Sequence, residues 1–522
     1  MKKIKKILAM IMAAAMIMGL GMTAFAAAPS ENDTTEATVI NVEEGAEVWA
    51  YQIVKANYSG GGFTGYSKVD SVTIAKATEP TAEEVINIAS KINNGTLSNL
   101  KRVQMTAGKD KTTYTAQLNA GYWIAIVKGD VDEVYNPILI GVAYSASGTE
   151  NTMTSTPISA DTNWSLKGTN AYAKSSKPSI TKEIVKEDQN GVAIGDQVDF
   201  KITTAIPSYT EQYKEVAVRI SDTLTEGLTL DTGTIAITVG ESTYNPADGE
   251  LTKNEQGFTL TFPSSYALQN SGKAVVITYK ATLNDQAGLN FDTNKNTAKI
   301  TYSNDPTNAS KTKEVTDVTY TYTFAIDAML NGEHGTGTQQ TEEIRKVDAE
   351  GKVISTDTSS LPPEYTGKVV EVAEGAEFKL TNNTTDKAYT ATSDKYGRLT
   401  FKGLDEGEYT LVETKAPTGY TLDATPHTVV ISAEYNTNGT LKSYTIKIDG
   451  KATSTYTATY TGEDQIQTLE PTVINKTDIK NSKLATLPST GGIGTTIFTI
   501  GGIVIMVAAA ALFFANRRKN NG

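Results

Sequence analysis

The feature that most constrains the fold is a strict alternation of apolar and polar residues in several segments. Clear examples are residues 234–239, 258–262 and 318–324, where Thr alternates with aliphatic or aromatic side chains. Period-two alternation places the apolar side chains on one face of a β-strand. Turn-forming pairs such as Asp248-Gly249 and Glu350-Gly351 separate such segments. We therefore predict an all-β protein built from tandem immunoglobulin-like β-sandwich domains.

One segment has helical periodicity instead. Thr81 begins a Thr-x-x-Glu capping box that Glu84 closes. The apolar residues that follow at helical spacing are Val85, Ile88, Ala89 and Ile92. This pattern predicts a single amphipathic helix that covers part of the first domain.

The amino end has the three parts of a secretory signal peptide. Its basic residues are Lys2, Lys3, Lys5 and Lys6. An uncharged stretch follows, and Ala24-Phe25-Ala26 forms a small-x-small cleavage site. A membrane anchor is the alternative, but the short apolar core and the adjoining site favour cleavage. We predict that residues 1–26 are removed and that the mature chain begins at Ala27.

The carboxyl end also has three parts: the pentapeptide Leu487-Pro488-Ser489-Thr490-Gly491, an uncharged segment over 493–515, and a basic tail. The tail contains Arg517, Arg518 and Lys519. At about 1.5 Å per helical residue, the apolar core over 497–515 spans roughly 28 Å, close to the hydrocarbon thickness of a bilayer. We predict a membrane span whose basic end stays on the cytoplasmic side.

The pentapeptide has a backbone suited to the binding groove of an enzyme that cleaves it. Pro488 fixes its own φ and pushes Leu487 toward an extended conformation, and Gly491 leaves room at the scissile bond. A Leu-Pro-x-Thr-Gly motif before a membrane span and a basic tail is typical of a sorting signal for sortase, a membrane-held cysteine transpeptidase. We predict cleavage between Thr490 and Gly491 and transfer of Thr490 to an amine.

Charge and composition exclude several classes of function. Without the four basic residues of the amino end and the three of the carboxyl end, the net charge of −12 becomes −19 for residues 27–490. Such an acidic chain is unsuited to nucleic acid. Cysteine is absent, and the two histidines, His334 and His427, leave little material for a hydrolase triad or a metal site. Paired carboxylates keep an acid–base enzyme formally open, but we expect no enzyme, metal or cofactor.

The mature length predicts three domains. The polar segment over 174–178 and the Gly-, Thr- and Gln-rich segment over 331–341 are the natural boundaries. The predicted domains are residues 27–174, 175–330 and 331–480. Residues 481–522 form the sorting region.

From Ala27 to Gly522 the chain resembles the major, or backbone, pilins of Gram-positive bacteria. The middle segment contains IGDQVDF at 194–200, ISDTL at 220–224 and NTAKITY at 296–302, in the order of the fimbrial middle domain. The last segment contains YTLVETKAPTGY at 409–420, which is similar to the hallmark of collagen-adhesin B-type repeats.

In both families the resemblance implies a Lys–Asn isopeptide bond that forms without an enzyme. In the middle domain it points to Lys182, Asn296 and the acid Asp222, with Asn294 and Asn304 close by as alternatives to Asn296. Burial lowers the pKa of a lysine and raises that of a carboxyl group. The neutral amine attacks the carboxamide while the protonated acid polarises its carbonyl, and ammonia leaves.

In the last domain the resemblance points to Lys346, Asn475 and the acid Glu413. It also implies a lysine that accepts the acyl group from the preceding subunit, within a Trp-x-x-x-Val-x-Val-Tyr-Pro-Lys stretch. The matching region runs from Trp164 to Lys174, with Ala173 in place of Pro and one extra residue of spacing. Lys174 is therefore the expected acceptor, and Lys167 and Lys177 remain alternatives.

The resemblance implies a structural subunit of a cell-surface pilus anchored to the wall of a Gram-positive bacterium. Its implied partners are sortase, identical subunits, accessory pilins, peptidoglycan and a host surface ligand. Two alternatives stay open at this point. One is a monomeric wall-anchored adhesin, and the other is an accessory or basal pilin that is attached only once.

Overall fold

The computed structural model describes residues 17–18, 22–24, 27–146, 152–159, 162–186, 190–330, 339–484 and 494–519. The sorting motif over 487–491 lies outside these residues, as does most of the segment predicted to separate the last two domains. The described residues divide into two compact units. The first lies within Met1–Gly288, Asp292–Thr323 and Thr437–Gly439, and the second within Leu289–Phe291, Phe324–Asn436 and Thr440–Gly522.

The amino-terminal part of the first unit is built on one large sheet. Its strands are β1 (Ile17–Met18), β2 (Met22–Ala24), β3 (Thr34–Ile40), β4 (Ala46–Ser59), β5 (Gly62–Lys68), β6 (Arg102–Gln104), β7 (Thr106–Ala107), β8 (Tyr114–Asn119), β9 (Gly121–Gly129), β10 (Val134–Tyr135), β11 (Ile138–Ala146), β12 (Trp164–Tyr172) and β13 (Ser175–Ser176). The main path through the sheet is β5-β4-β9-β11-β12-β3-β8-β7, while β10 and β13 form a separate pair. Strand β12 pairs antiparallel with β11 and parallel with β3, so it joins the two halves of the sheet.

A single helix, α1 (Ala82–Asn93), covers this sheet and confirms the sequence prediction. The Thr81 hydroxyl accepts a hydrogen bond from the Glu84 amide at 3.2 Å, and the Glu84 carboxylate accepts one from the Thr81 amide at 2.8 Å. The buried face of the helix contains Val85, Ile88 and Ala89, which join the core around Trp123. The capping box therefore sets where the helix starts, and apolar burial sets which face it presents.

The rest of the first unit is a β-sandwich. Its strands are β14 (Ile180–Ile184), β15 (Gln197–Ala205), β16 (Val218–Leu224), β17 (Leu228–Val239), β18 (Ser242–Thr243), β19 (Leu251–Asn254), β20 (Gly257–Phe262), β21 (Ala274–Leu283), β22 (Asn294–Ser303) and β23 (Thr312–Thr321), with a short helix α2 (Ser264–Gln269). One sheet has the order β14-β15-β21-β17-β18 and the other β19-β20-β16-β22-β23. Alternate residues of β20 face the core, as the period-two pattern over 258–262 predicted. The segment over 318–324 is instead divided between β23 and β24 (Phe324–Ile326), and residues 320–324 are all buried.

The second unit contains three sheets. Its strands are β24 (Phe324–Ile326), β25 (Ile344–Asp348), β26 (Val353–Ser355), β27 (Val369–Glu371), β28 (Glu377–Asn382), β29 (Ala388–Thr392), β30 (Phe401–Leu404), β31 (Gly407–Lys415), β32 (His427–Tyr435), β33 (Leu441–Ile448), β34 (Lys451–Thr461), β35 (Gln465–Ile474) and β36 (Thr477–Asn481). The sheet orders are β27-β26-β25-β36, β29-β28-β31-β32-β33-β34-β35 and the pair β24-β30. Strand β36, the last strand of the unit, pairs with β25 from near its start, and the two strands run parallel. The predicted all-β class is confirmed.

The second unit starts before residue 331, where the sequence placed the domain boundary. Strand β24 pairs with β30, and the buried Asp327 carboxylate follows it. This carboxylate accepts backbone hydrogen bonds from Glu343 at 2.5 Å, Ile344 at 3.0 Å and Leu399 at 2.7 Å. These bonds attach the residues after β24 to the start of β25, which explains why they belong to this unit.

The carboxyl-terminal helix, α3 (Gly494–Lys519), contains an apolar stretch over Ile497–Phe514 with a mean hydropathy of 2.6. By length and composition this stretch can cross a membrane. It agrees with the span predicted from the sequence.

We expect Thr81→Ala to weaken the first turn of α1 by roughly 1 kcal/mol, because the Glu84 amide loses its hydrogen-bond acceptor, the Thr81 hydroxyl. Hydrogen exchange of the Glu84 and Val85 amides should then be roughly five-fold faster than in the unchanged protein. Thr96→Ala, at an exposed turn position after the helix, is the matched control. Equal exchange rates in both variants would contradict a stabilising role for the cap.

Candidate functional site

A lysine, an aspartate and an asparagine that are far apart in the sequence meet inside the middle sandwich. Lys182 lies on β14, Asp222 on β16 and Asn296 on β22, and all three are buried. Strand β14 belongs to one sheet, whereas β16 and β22 are neighbours in the other. Each residue occupies an inward position in a period-two strand, where the alternation otherwise places apolar side chains. The structure therefore brings together the three residues singled out in the sequence.

The tyrosine Tyr279, on β21, joins this cluster. Its hydroxyl donates a hydrogen bond to Asp222 Oδ1 at 2.7 Å and accepts one from Asn296 Nδ2 at 2.9 Å. Lys182 Nζ contacts both the Asp222 carboxylate and the Tyr279 hydroxyl. Sequence reasoning missed Tyr279, although its place in the alternating segment over 274–283 marks it as a core residue.

Burial shifts both titratable partners of the cluster toward their neutral forms. Loss of water lowers the pKa of Lys182 and raises the pKa of Asp222, and the attraction between them opposes both shifts. Lys182 Nζ also lies 5.2 Å from the centroid of the Phe200 ring and 5.0 Å from that of Tyr279. A neutral amine beside a carboxylic acid and a carboxamide has the composition required for amide exchange.

The two alternative asparagines are engaged elsewhere. Asn294 Oδ1 accepts a hydrogen bond from the Gly288 amide at 2.9 Å, and its Nδ2 donates to the Gly288 and Thr321 carbonyls at 3.2 Å. Asn304 Nδ2 donates to the Val131 carbonyl. Of the three asparagines, the structure places Asn296 with Lys182.

A second buried cluster forms in the last domain, but with a different asparagine from the predicted one. Lys346 Nζ on β25 lies 3.1 Å from Glu413 Oε1 on β31, and both side chains are fully buried. Asn475, the expected third member, is exposed between β35 and β36, and its backbone amide donates to the Thr453 carbonyl at 2.6 Å. Asn481 is buried and donates from Nδ2 to Glu413 Oε2 at 2.8 Å. The prediction of Asn475 is therefore wrong, and Asn481 takes its place.

The reason for this correction is strand β36. It pairs in parallel with β25, so that Ile479 lies opposite Lys346 and Asn481 opposite Asp348. Along β36 the side chains of Ile479 and Asn481 face inward. In the sequence, Ile479 is a single apolar residue between Asp478 and Lys480, which is only a weak indication of this strand. We had assigned Asn481 to the sorting region, whereas the structure places it in the sheet of the last domain.

Burial lowers the pKa of Lys346, and the nearby Glu413 opposes that shift. The ammonium position lies 5.3 Å from the centroid of the Phe378 ring. The two clusters thus share a buried lysine, a buried acid, a buried asparagine and an aromatic ring. Among the residues that the structure describes, no group of three or more His, Asp or Glu side chains is arranged to hold a metal ion.

The expected acceptor region follows β12. Trp164, at its start, is buried and donates from Nε1 to the Ala27 carbonyl at 2.8 Å. Lys174 is half-buried just beyond the end of the strand, and its carbonyl accepts a hydrogen bond from the Asn136 amide at 3.0 Å. Lys167 is half-buried within β12. Thr490, the expected donor, lies outside the described residues.

Lys177 has a definite partner. Its Nζ lies 2.8 Å from Asp132 Oδ2. The hydrogen bond to Asp132 raises the pKa of Lys177. A lysine held in this way keeps its proton more firmly and is a poorer nucleophile.

Models of four protein families match successive parts of the chain. Residues 32–175 match the T6 antigen Ig-like domain, and residues 194–306 match the Cna-B-like domain of Gram-positive pilin backbone subunit 2. Residues 369–445 match the SpaA prealbumin-like fold domain, and residues 479–521 match the LPXTG cell wall anchor motif. The matches follow one another in the order of the predicted domains.

The trypsin-resistant surface T6 protein of Streptococcus pyogenes serotype M6 is 28% identical over 96% of this chain and 98% of its own length. The solved structure of the T6 backbone pilin of serotype M6 Streptococcus pyogenes covers 87% of this chain and 100% of its own, at 24% identity and a TM-score of 0.57. The full-length major pilin SpaD of Corynebacterium diphtheriae covers 87% of this chain and 99% of its own, at 16% identity and a TM-score of 0.42, too low to support an argument. The T6 pilin structure supports the fold.

We expect residues 27–490 to have a mass two ammonia molecules below that of the sequence, because each cluster contains the groups for one amide exchange. Asn296→Ala and Asn481→Ala should each restore the mass of one ammonia. Asn475→Ala is the matched control and should keep both losses. Intact-mass measurement on the purified protein checks this, and an unshifted mass for the unchanged protein would contradict the reactivity of both clusters.

Proposed function

We infer that the chain is a backbone pilin of a Gram-positive bacterium, a structural subunit of a covalent pilus anchored in the cell wall. The observation that carries this inference is the order of the matches along one chain. A T6 antigen domain, a pilin backbone domain, a SpaA domain and a wall-anchor motif follow one another. The apolar helix α3 supplies the membrane-spanning part of the sorting signal.

In this proposal a sortase cleaves the chain between Thr490 and Gly491. The sortase thiolate attacks the Thr490 carbonyl and forms a thioester, and the amine of Gly491 leaves with a proton. The amine of Lys174 on another subunit then attacks the thioester, and the thiolate is released. The product is an amide between Thr490 of one subunit and Lys174 of the next.

Two observations support Lys174 over the other lysines. Its backbone is held at the end of β12 by the bond from Asn136, which gives the residue a defined position. Lys167 lies inside β12, whose paired backbone leaves less room for an enzyme to approach.

We further propose that both buried clusters react to form internal isopeptide bonds. The Lys182–Asn296 bond would join the two sheets of the middle sandwich, and the Lys346–Asn481 bond would join β25 to β36. Each bond closes a loop of more than about a hundred residues, which by the chain-entropy model for disulfides corresponds to about 5 kcal/mol of stabilisation. Under tension, the force then passes through covalent bonds near the ends of each domain.

In this proposal the protein is a substrate of sortase and a building block, and it catalyses no reaction on other molecules. Its proposed further partners are accessory pilins, peptidoglycan and a host surface ligand. We also propose the three-domain division, with the last domain extended to run from Phe324 through Asn481. A monomeric wall-anchored adhesin and an accessory pilin attached only once are the competing functions.

We expect wall extracts to contain a ladder of high-mass forms that survives boiling in detergent, because each step joins two subunits by an amide. Lys174→Ala should collapse the ladder to one band. Lys177→Ala and Lys167→Ala are the matched controls and should keep it. Immunoblotting of the extracts measures all four proteins.

The outcomes separate the alternatives. A single band from the unchanged protein would contradict polymerisation and favour a monomeric adhesin or a singly attached pilin. A ladder that persists in Lys174→Ala but disappears in one of the control variants would assign the acceptor to that lysine instead.

A further inference from the structure

The phenol oxygen of Tyr279 contacts all three members of the middle-domain cluster. It lies 2.7 Å from Asp222 Oδ1 and 2.9 Å from Asn296 Nδ2, and it contacts Lys182 Nζ. The nitrogen that attacks and the nitrogen that leaves in the proposed reaction thus both contact this oxygen. Asn296 Nδ2 donates a hydrogen bond to the Tyr279 hydroxyl, and that hydroxyl is also hydrogen-bonded to the Asp222 carboxyl group.

The last domain makes the corresponding connection without a third group. Glu413 Oε1 lies 3.1 Å from Lys346 Nζ, and Glu413 Oε2 accepts a hydrogen bond from Asn481 Nδ2 at 2.8 Å. One carboxyl group therefore spans the amine and the amide. Glutamate is one methylene longer than aspartate, and in the middle domain the Tyr279 hydroxyl occupies the place between the shorter acid and the amide.

We propose that Tyr279 is a catalytic residue for isopeptide formation in the middle domain, where it relays a proton from Asp222 to the leaving nitrogen of Asn296. The inference rests on the proposed internal bonds and assigns a role that the last domain gives to Glu413 alone. The reacting groups are side chains of this chain, so the tyrosine acts once in each molecule.

The proton balance of the reaction uses every contact in the cluster. The neutral Lys182 amine attacks Asn296 Cγ and forms the new C–N bond. After the attack, Asn296 Nδ2 is the basic nitrogen of a tetrahedral intermediate, and the Tyr279 hydroxyl turns from Asp222 Oδ1 to donate to it. As Asp222 Oδ2 takes one amine proton, the proton on Asp222 Oδ1 passes to the Tyr279 oxygen and the Tyr279 proton passes to Asn296 Nδ2. The Cγ–Nδ2 bond then breaks, ammonia leaves, and both Asp222 and Tyr279 regain their starting protonation.

This relay needs no free phenolate. Burial raises the pKa of Tyr279 well above the usual value for a phenol, and the neighbouring Asp222 raises it further. A phenol that gains one proton as it loses another stays neutral throughout. Just before the transfer both hydrogen bonds of Tyr279 run opposite to the directions found in the structure, and the transfer returns them to those directions.

A purely structural role for Tyr279 is the competing explanation. Its ring stacks on Phe200 with centroids 5.5 Å apart and packs edge-on against Phe258. Phenylalanine at this position keeps the ring and removes only the hydroxyl. The variant Tyr279→Phe therefore separates packing from proton transfer.

The experiment follows both bonds in one molecule. Residues 27–490, the form left by the two predicted cleavages, are made by cell-free synthesis, and samples are quenched in acid at successive times. Digestion and mass spectrometry give the fraction of crosslinked Lys182–Asn296 and Lys346–Asn481 peptides. We expect Tyr279→Phe to slow the first bond by roughly 10²-fold or more, as for loss of a general acid, and to leave the second bond unchanged.

Two further variants make the test specific. Tyr213→Phe is the matched control, since it removes another buried phenol of the same domain, which donates to the Asn304 carbonyl at 3.1 Å. It should form both bonds at the normal rate. The double variant Asp222→Glu with Tyr279→Phe restores the longer acid used in the last domain, and we expect it to recover at least ten-fold of the lost rate.

Each result bears on the proposal. A normal rate for the first bond in Tyr279→Phe overturns the catalytic role, and so does an equal slowing in Tyr213→Phe, which would indicate a general effect on folding. If the unchanged protein forms neither bond, the proposed isopeptide chemistry itself is wrong. Selective slowing of the first bond, with recovery in the double variant, supports the relay.

Discussion

Both sandwiches depend on a lysine buried in an apolar core. An isolated ammonium group in such a place is costly, because the core cannot replace its hydration. Asp222 and Glu413 lower that cost as partners of Lys182 and Lys346, but an acid and an amine taken out of water still carry a desolvation penalty. Conversion of the amine and a neighbouring carboxamide into an amide removes the titratable amine from the core, while Asp222 or Glu413 stays in place as the acid. The proposed bond formation therefore stabilises the fold and ends the burial of the lysine charge.

The two clusters reach the same chemistry with different geometry. In the middle sandwich, Lys182 comes from one sheet and Asn296 from the other, so the proposed bond would cross the core. In the last domain, Lys346 and Asn481 lie on adjacent parallel strands, and only Glu413 comes from the facing sheet. The first proposed bond would hold two sheets together, whereas the second would hold the two ends of a domain together.

The segment around Lys174 is held more firmly than its polar composition indicates. Ser175 and Ser176 pair with β10. Within the same compact unit, β10 and the loop before it contact the middle sandwich. The Tyr302 hydroxyl donates to the Asp132 carbonyl in the loop at 2.6 Å, and Gln212 Nε2 donates to the Tyr135 carbonyl in β10 at 2.6 Å. A proposed acceptor on an ordered segment reaches a sortase in a defined orientation. The conformational entropy of this segment is then lost when the protein folds and not during the reaction.

The sequence alone determined what depends on local patterns. Alternation predicted the β-class, a capping box predicted α1, and an uncharged segment before basic residues predicted the apolar helix at the carboxyl end. Family motifs also located Lys182, Asp222, Lys346 and Glu413, because each lies in a recognisable strand. Tertiary structure alone decided that Asn481 and not Asn475 joins Glu413 in the buried cluster, and that Tyr279 connects Asp222 to Asn296. Those two relations depend on which strands pair and in what register, and register is set by long-range packing that no local pattern records.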